Sequence, residues 1–175
     1  MAQSIIDFIE ENYQELLQFC VRLNGNWADA EDVLQTVAAK ICKRQDELQD
    51  VVHCKAYLMT CIRHASLNLW RTHARQNMSG ADFETVSNYY PDAKPKDAFT
   101  YFEWTESLVS NLSVYDEQYR KAFIAYYIDQ EPLEYVAESL GLTKRQTTKK
   151  FEVMRRYLKK HYQHLYIQMS ILLSM

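Results

Sequence analysis

The chain has 175 residues, 47% of them hydrophobic and 25% charged, with a formal net charge of -3 at pH 7. That apolar content excludes a globally disordered chain, and the length accommodates one domain or two small ones. Three Gly and three Pro are too few for the turns of a sheet protein, so an all-α fold is expected: two small helical domains joined by a flexible linker.

The first ten residues carry acids and no basic stretch, unlike a signal peptide. No apolar run approaches the roughly 20 residues of a membrane helix, so a cytoplasmic chain without membrane insertion is expected. Ile5, Phe8 and Ile9 begin an apolar stripe that Leu16, Leu17, Phe19, Cys20 and Leu23 continue at helical spacing. Asn24-Gly25-Asn26 is a turn signal. A new helix is expected from about Asp29, with Asp29 as N-cap and Ala30, Val33, Leu34, Val37, Ala38 and Ile41 as its apolar face. Asp29, Asp32 and Gln35 lie near one face, opposite Val33 and Val37, and form a docking surface for a basic partner. A solvated acidic helix start, suited to the helix dipole, is the plainer explanation.

After a polar stretch, Arg44 to His53, the next helix runs from about Lys55 to Arg75. Tyr57, Leu58, Cys61, Ile62, Ala65 and Leu69 share a broad apolar face. The same helix interleaves Tyr57, Arg63, His64, Asn68, Trp70, Arg71, His73 and Arg75. Aromatic rings stack on unpaired bases while Arg tracks phosphates; Tyr57 and Trp70 are equally suited to a core. Cys54, Cys61 and His64 match no common zinc spacing and lack a fourth ligand, so no metal is expected. Cys20 and Cys42 fall in apolar helical patterns and read as reduced core thiols.

Periodicity disappears between residues 76 and 98, where Pro91 and Pro95 fall, and this segment reads as the linker. A helix through Tyr101, Trp104 and Leu108 is expected to end near Asn111, followed by one with Tyr119, Ala122, Phe123 and Tyr126. Asp129 to Pro132 breaks the chain. Pro132 to Tyr157 then has helix-turn-helix grammar: Tyr135, Val136, Ala137 and Leu140 as a first-helix core, Gly141 for the turn, Thr143 as a cap, and a long helix from about Lys144 to Tyr166. Eight Lys or Arg and a single acid fall between Thr143 and His161, whereas Thr100 to Leu142 holds eight acids and two bases. Phosphate neutralisation dominates DNA affinity, so Lys144, Arg145, Gln146, Thr148, Lys149 and Lys150 are candidate contacts to phosphates and base edges. An ordinary helical hairpin with a solvated basic face is the alternative. The tail from Tyr166 to Met175 is apolar and expected to pack on its own domain or a partner. No nucleophile, metal cluster or Gly-rich phosphate loop marks an enzyme, and no cofactor is expected.

These segments occur in the order of one family. Asp29-Ala30-Glu31-Asp32-Val33-Leu34-Gln35, Tyr57 to His64 followed by Asn68 and Arg71, Tyr119 to Phe123, and Tyr135 to Thr143 together resemble the extracytoplasmic-function sigma factors. The resemblance implies a region 2-like domain over residues 1–75, a linker over 76–98 and a region 4-like helix-turn-helix domain over 99–175. It implies a sigma factor that binds core RNA polymerase and directs promoter-specific transcription initiation. Asp29, Glu31, Asp32 and Gln35 would dock on the clamp helices of the polymerase's largest subunit, with the polymerase flap a second contact. His53, Lys55, Tyr57, Arg63, His64, Asn68, Arg71 and Arg75 would serve the -10 element as it separates into single strands, with residues 46–53 as the base-capturing loop. Thr143, Lys144, Arg145, Gln146, Thr148, Lys149 and Lys150 would read the double-stranded -35 element. An anti-sigma factor or other recruiting protein is a further candidate partner. The family usually has Asn where His64 stands, and a Thr-Val pair where Gln146-Thr147 stands, with Thr147 at a half-buried position. Other readings are a helix-turn-helix DNA-binding regulator, and a polymerase-binding adaptor without independent promoter recognition.

Overall fold

The structure, a computed structural model, describes residues 4–48, 51, 53–77 and 98–175, without the side chains of residues 77 and 98–103. The described residues are all-α, with nine α-helices and no strand. Most of the expected linker, residues 78–97, lies outside the described residues, as do 49, 50 and 52 of the polar loop.

Four helices make the first module: α1 (Ile5–Glu11), α2 (Tyr13–Asn24), α3 (Trp27–Lys43) and α4 (Cys54–Asn77). The single apolar stripe expected over residues 5–23 is divided at Asn12, whose side-chain amide and backbone N–H both donate to the Phe8 carbonyl. Gly25 at φ 76° ends α2 in the left-handed conformation that a side chain disfavours. The next helix starts before Asp29. Asn26 is the N-cap, its side-chain oxygen accepting from the Asp29 N–H at 2.8 Å, while its amide donates to Asp29 Oδ2 at 2.7 Å. Asp29 therefore sits inside the first turn, where its charge still faces the positive end of the helix dipole. Val33, Leu34, Val37 and Ile41 are buried as their spacing requires; Cys42, expected in a core, is exposed.

The second module comprises α5 (Ala98–Asn111), α6 (Glu117–Tyr127), α7 (Leu133–Ser139), α8 (Lys144–His161) and α9 (Gln163–Leu173). Between α7 and α8, Gly141 adopts φ 64°. Thr143 and Gln146 then form a reciprocal capping box that starts α8. Tyr135 is 63% exposed, so the core of α7 is Val136 and Ala137. The helix expected to run from Lys144 to Tyr166 is two helices, parted at Tyr162 (φ -139°, ψ 61°). No Gly or Pro marks that break. Its effect is to let α9 pack back on α8 and reach α4.

Buried residues of both modules form one continuous apolar cluster, from Ile5 through Leu58 and Trp104 to Leu172. The modules meet where α4 packs against α5 and α9. Trp104 of α5 is buried against Tyr57 of α4, with ring centroids 5.5 Å apart and planes inclined by 57°.

Candidate polymerase-docking and nucleic-acid surfaces

The N-terminal half of α3 exposes Asp32 and Gln35, with Asp29 and Glu31 half-buried. Each of the latter two is locally held: Asp29 by the Asn26 amide, and Glu31 by Trp27 Nε1 at 3.0 Å. Trp27 itself is 53% exposed. An exposed indole beside four acceptor side chains makes a surface with both an apolar anchor and charge, a combination suited to protein docking.

The residues expected to meet the -10 element do not share one environment. Arg75 is exposed. His53, Lys55, Arg63, Asn68 and Arg71 are half-buried, and Tyr57 and His64 are buried. Lys55 pairs with Glu15 of α2 at 2.7 Å. Arg71 donates to Gln130 Oε1 at 2.8 Å and lies 3.5 Å from Asn68 Oδ1. Gln130 belongs to the second module, where it adopts φ 58°.

Tyr57 and His64 point into the junction between modules. The Tyr57 hydroxyl donates to the Gln168 carbonyl of α9 at 2.8 Å, and Trp104 Nε1 donates to Gln168 Oε1, also at 2.8 Å. His64 Nε2 donates to the Ile128 carbonyl at 3.0 Å, which requires its proton on that nitrogen. Burial pushes the His64 pKa down to about 4, with Arg63 and Arg71 acting in the same direction and the Ile128 bond opposing them. The ring is therefore neutral at pH 7. Cys61, on the same face of α4, is fully buried and its thiol is pushed up to about 12. In this closed arrangement Tyr57 and His64 are not accessible to a base, so any DNA contact by them requires the modules to separate.

On α8, Lys144, Arg145, Gln146, Thr148 and Lys149 are exposed, as is Thr143 at the cap. Arg145, Thr148 and Lys149 face solvent directly. Lys144 pairs with Glu134 of α7, which holds that carboxyl below its usual range. Gln146 turns its oxygen back to the Thr143 N–H at 2.9 Å, so the cap competes with any base edge for this side chain. Lys150 is half-buried, its ammonium 4.3 Å from the Tyr119 ring centroid and 5.6 Å from that of Tyr115. Thr147 is fully buried and its hydroxyl donates to the Thr143 carbonyl at 3.0 Å.

Sequence reasoning missed the partners that cover α4: Gln168, Trp104, Gln130 and Ile128. The apolar tail after Tyr166 was the available signal, because a helix with five buried side chains out of eleven residues must pack on something.

No curated protein matches the chain. Residues 8–76 match the family model described as Sigma-70 region 2, a match that runs from α1 to the end of α4 and takes in both the α3 surface and the α4 face. Over those residues the first module is similar to sigma-70 region 2.

Proposed function

We propose that the chain is a sigma factor of the extracytoplasmic-function kind, which binds core RNA polymerase through α3 and directs promoter-specific transcription initiation. The observation that carries this reading is the coincidence of the region 2 match with an exposed acidic face on α3 in the matched segment. In this reading Asp29, Glu31, Asp32 and Gln35 dock on the polymerase, and α4 supplies Arg63, His64, Asn68, Arg71 and Arg75 to the -10 strand once it is uncovered. The second module acts as a helix-turn-helix in which α8 meets the -35 duplex through Arg145, Thr148 and Lys149. Their outward placement on a helix with eight basic residues favours this. The protein supplies recognition and strand separation, and the polymerase supplies the chemistry.

Core-polymerase pulldown with Asp32→Arg tests it. The charge reversal should weaken binding at least tenfold, about 1.4 kcal/mol, and abolish promoter-dependent transcripts on a genomic template library. Unchanged binding would overturn the reading. The occupation of Tyr57 and His64 by protein contacts favours a second reading, a polymerase-binding adaptor that does not itself select promoters. It predicts wild-type pulldown without promoter-dependent transcripts.

A further inference from the structure

The outward face of α8 runs through Arg145, Lys149, Glu152, Arg156 and Lys160, at steps of three or four residues, and all five are exposed. Glu152 is the one acid on this 18-residue helix, among eight Lys and Arg. Val153, one position on, is apolar and 46% exposed. Neither suits a surface that only neutralises phosphate. A carboxylate facing duplex DNA is repelled by the backbone whatever the sequence, and a valine gains nothing from a phosphate. Lys149 stands three residues before Glu152 and Arg156 four residues after it, spacings at which ion pairs form on a helix. Among the described residues, however, the Glu152 carboxylate makes no ion pair. The side chains nearer the start of the helix are otherwise engaged. Gln146 returns its oxygen to the cap, Lys144 pairs with Glu134, Thr147 is buried and Lys150 lies over Tyr119. The exposed Lys and Arg supply charge, which fixes affinity and register, whereas contacts to base edges supply sequence.

We propose that Glu152 is a base-reading residue: its carboxylate accepts from the N4 amino group of a cytosine in the major groove, and Val153 packs on the methyl group of a thymine at a neighbouring base pair. The inference rests on the reading of α8 as a duplex-binding helix and names the kind of sequence that helix selects. An ionised carboxylate only accepts hydrogen bonds. It therefore matches the cytosine amino group and is mismatched with guanine O6 and N7 or thymine O4. Repulsion by phosphate then becomes the source of discrimination. The acid lowers affinity on every duplex, and the loss is offset only where a base donor meets it. Glu152 is also within reach of the same groove as the residues before it. Arg145 and Glu152 are seven residues apart, about 11 Å along the helix, with Thr148 between them. A helix that lays Arg145 and Thr148 into the groove carries Glu152 to base edges of the same site.

Selection from a randomised duplex library by the full chain, free and bound to core polymerase, reads base preference position by position. The wild type should enrich a site with a fixed C·G pair. Glu152→Gln should move that one position from cytosine to adenine, because an amide pairs with adenine N6 and N7 together. Glu152→Ala should lose about tenfold in preference there, while binding a duplex without the site more tightly by fluorescence anisotropy. Replacing the neighbouring thymine with deoxyuridine removes only the C5 methyl. That change should weaken the wild type several-fold and Val153→Ser little. Both side chains are exposed, so the variants should unfold at the wild-type denaturant midpoint, which separates lost reading from lost fold. An unchanged motif in both Glu152 variants would overturn the inference with DNA binding by α8 intact, and leave Glu152 a solvated surface acid. Equal binding of thymine and deoxyuridine duplexes by the wild type would overturn the Val153 contact. No enrichment by the wild type in either form would overturn the duplex-binding reading of α8, and this inference with it.

Discussion

The two basic helices, α4 and α8, meet opposite fates. Both have the composition of a nucleic-acid element, interleaving aromatic side chains with Arg or Lys. On α8 most charged residues face water, Lys150 and Arg155 lying half-buried over tyrosine rings, and the apolar Phe151, Met154 and Leu158 face the core. On α4 the residues that look most like a stacking surface, Tyr57 and His64, face another part of the same chain. The difference is in what each side chain tolerates. A lysine-rich helix cannot bury its charges without partners, so its exposed face is settled by charge alone. A tyrosine or a neutral histidine needs one hydrogen bond to be buried, and a backbone carbonyl is enough.

The sharpest way to break this comparison is to remove the side chain that covers α4. Trp104→Ala deletes a buried indole and leaves Gln168 Oε1 without its donor. We expect a loss of about 3–5 kcal/mol in chemical denaturation, with the junction at Tyr57 exposed to quenchers of tyrosine fluorescence. The equivalent change on α8, Val153→Ala at a 46% exposed position, should stay within about 0.5 kcal/mol. A loss under about 1 kcal/mol at Trp104 would mean that the modules are held together elsewhere.

The second test uses pH. His64 has its pKa lowered to about 4 in the closed protein, against an ordinary value of 6.5. Well above pH 6.5 the ring is neutral whether covered or released, and contributes no pH dependence. Below 6.5 the released or unfolded form takes up a proton that the covered form refuses, so closure weakens as pH falls from 6.5 towards 4. The full effect is about 3 kcal/mol. His64→Gln keeps a donor for the Ile128 carbonyl and cannot be protonated in this range. Denaturation of wild type and variant at about pH 7.5 and about pH 4.5, either side of the ordinary histidine range, should show the wild type losing more stability on acidification. Parallel losses would place the acid sensitivity in another group.

Much of the first module is legible in the sequence because helical periodicity and polarity agree there. Val33, Leu34, Val37 and Ile41 on one side of α3 leave Asp32 and Gln35 outside with no further information. The cap lies at Asn26 rather than at Asp29 because both residues are good caps, and only the geometry shows Asn26 accepting from Asp29. The covered face of α4 is half legible. Tyr57, Cys61 and His64 recur at helical steps beside Leu58, Ile62 and Ala65, which is a core stripe as much as a stacking one. What occupies that stripe is less legible: Gln168 reaches Tyr57 only through the turn at Tyr162, which carries no breaker residue, and Trp104 and Ile128 reach it through long-range packing that local periodicity does not encode. Tyr135 departs from its expected core place for a similar reason. An aromatic next to Val136 and Ala137 fits a core pattern, but a helix this short has too narrow a face to bury all three.

The smallest expected effect separates two neighbouring lysines on α8. Lys149 is exposed, whereas Lys150 rests over Tyr119 and Tyr115. If α8 meets duplex DNA, Lys149→Ala removes one phosphate neutraliser. Binding should weaken on any sequence, and the slope of log affinity against log salt should become shallower by about 0.9, with folding stability untouched. Lys150→Ala should do the reverse, costing about 0.5–1 kcal/mol of stability through the lost cation–π contact with a smaller change in salt slope. Fluorescence anisotropy on a duplex over a salt series, paired with denaturation of the same two variants, reads both quantities. Equal salt slopes for Lys149→Ala and the wild type would remove Lys149 from the DNA surface. A shallower slope for Lys150→Ala than for Lys149→Ala would mean that the tyrosines hold the ammonium toward DNA, so that aromatic packing positions charge on α8 where on α4 it hides the ring.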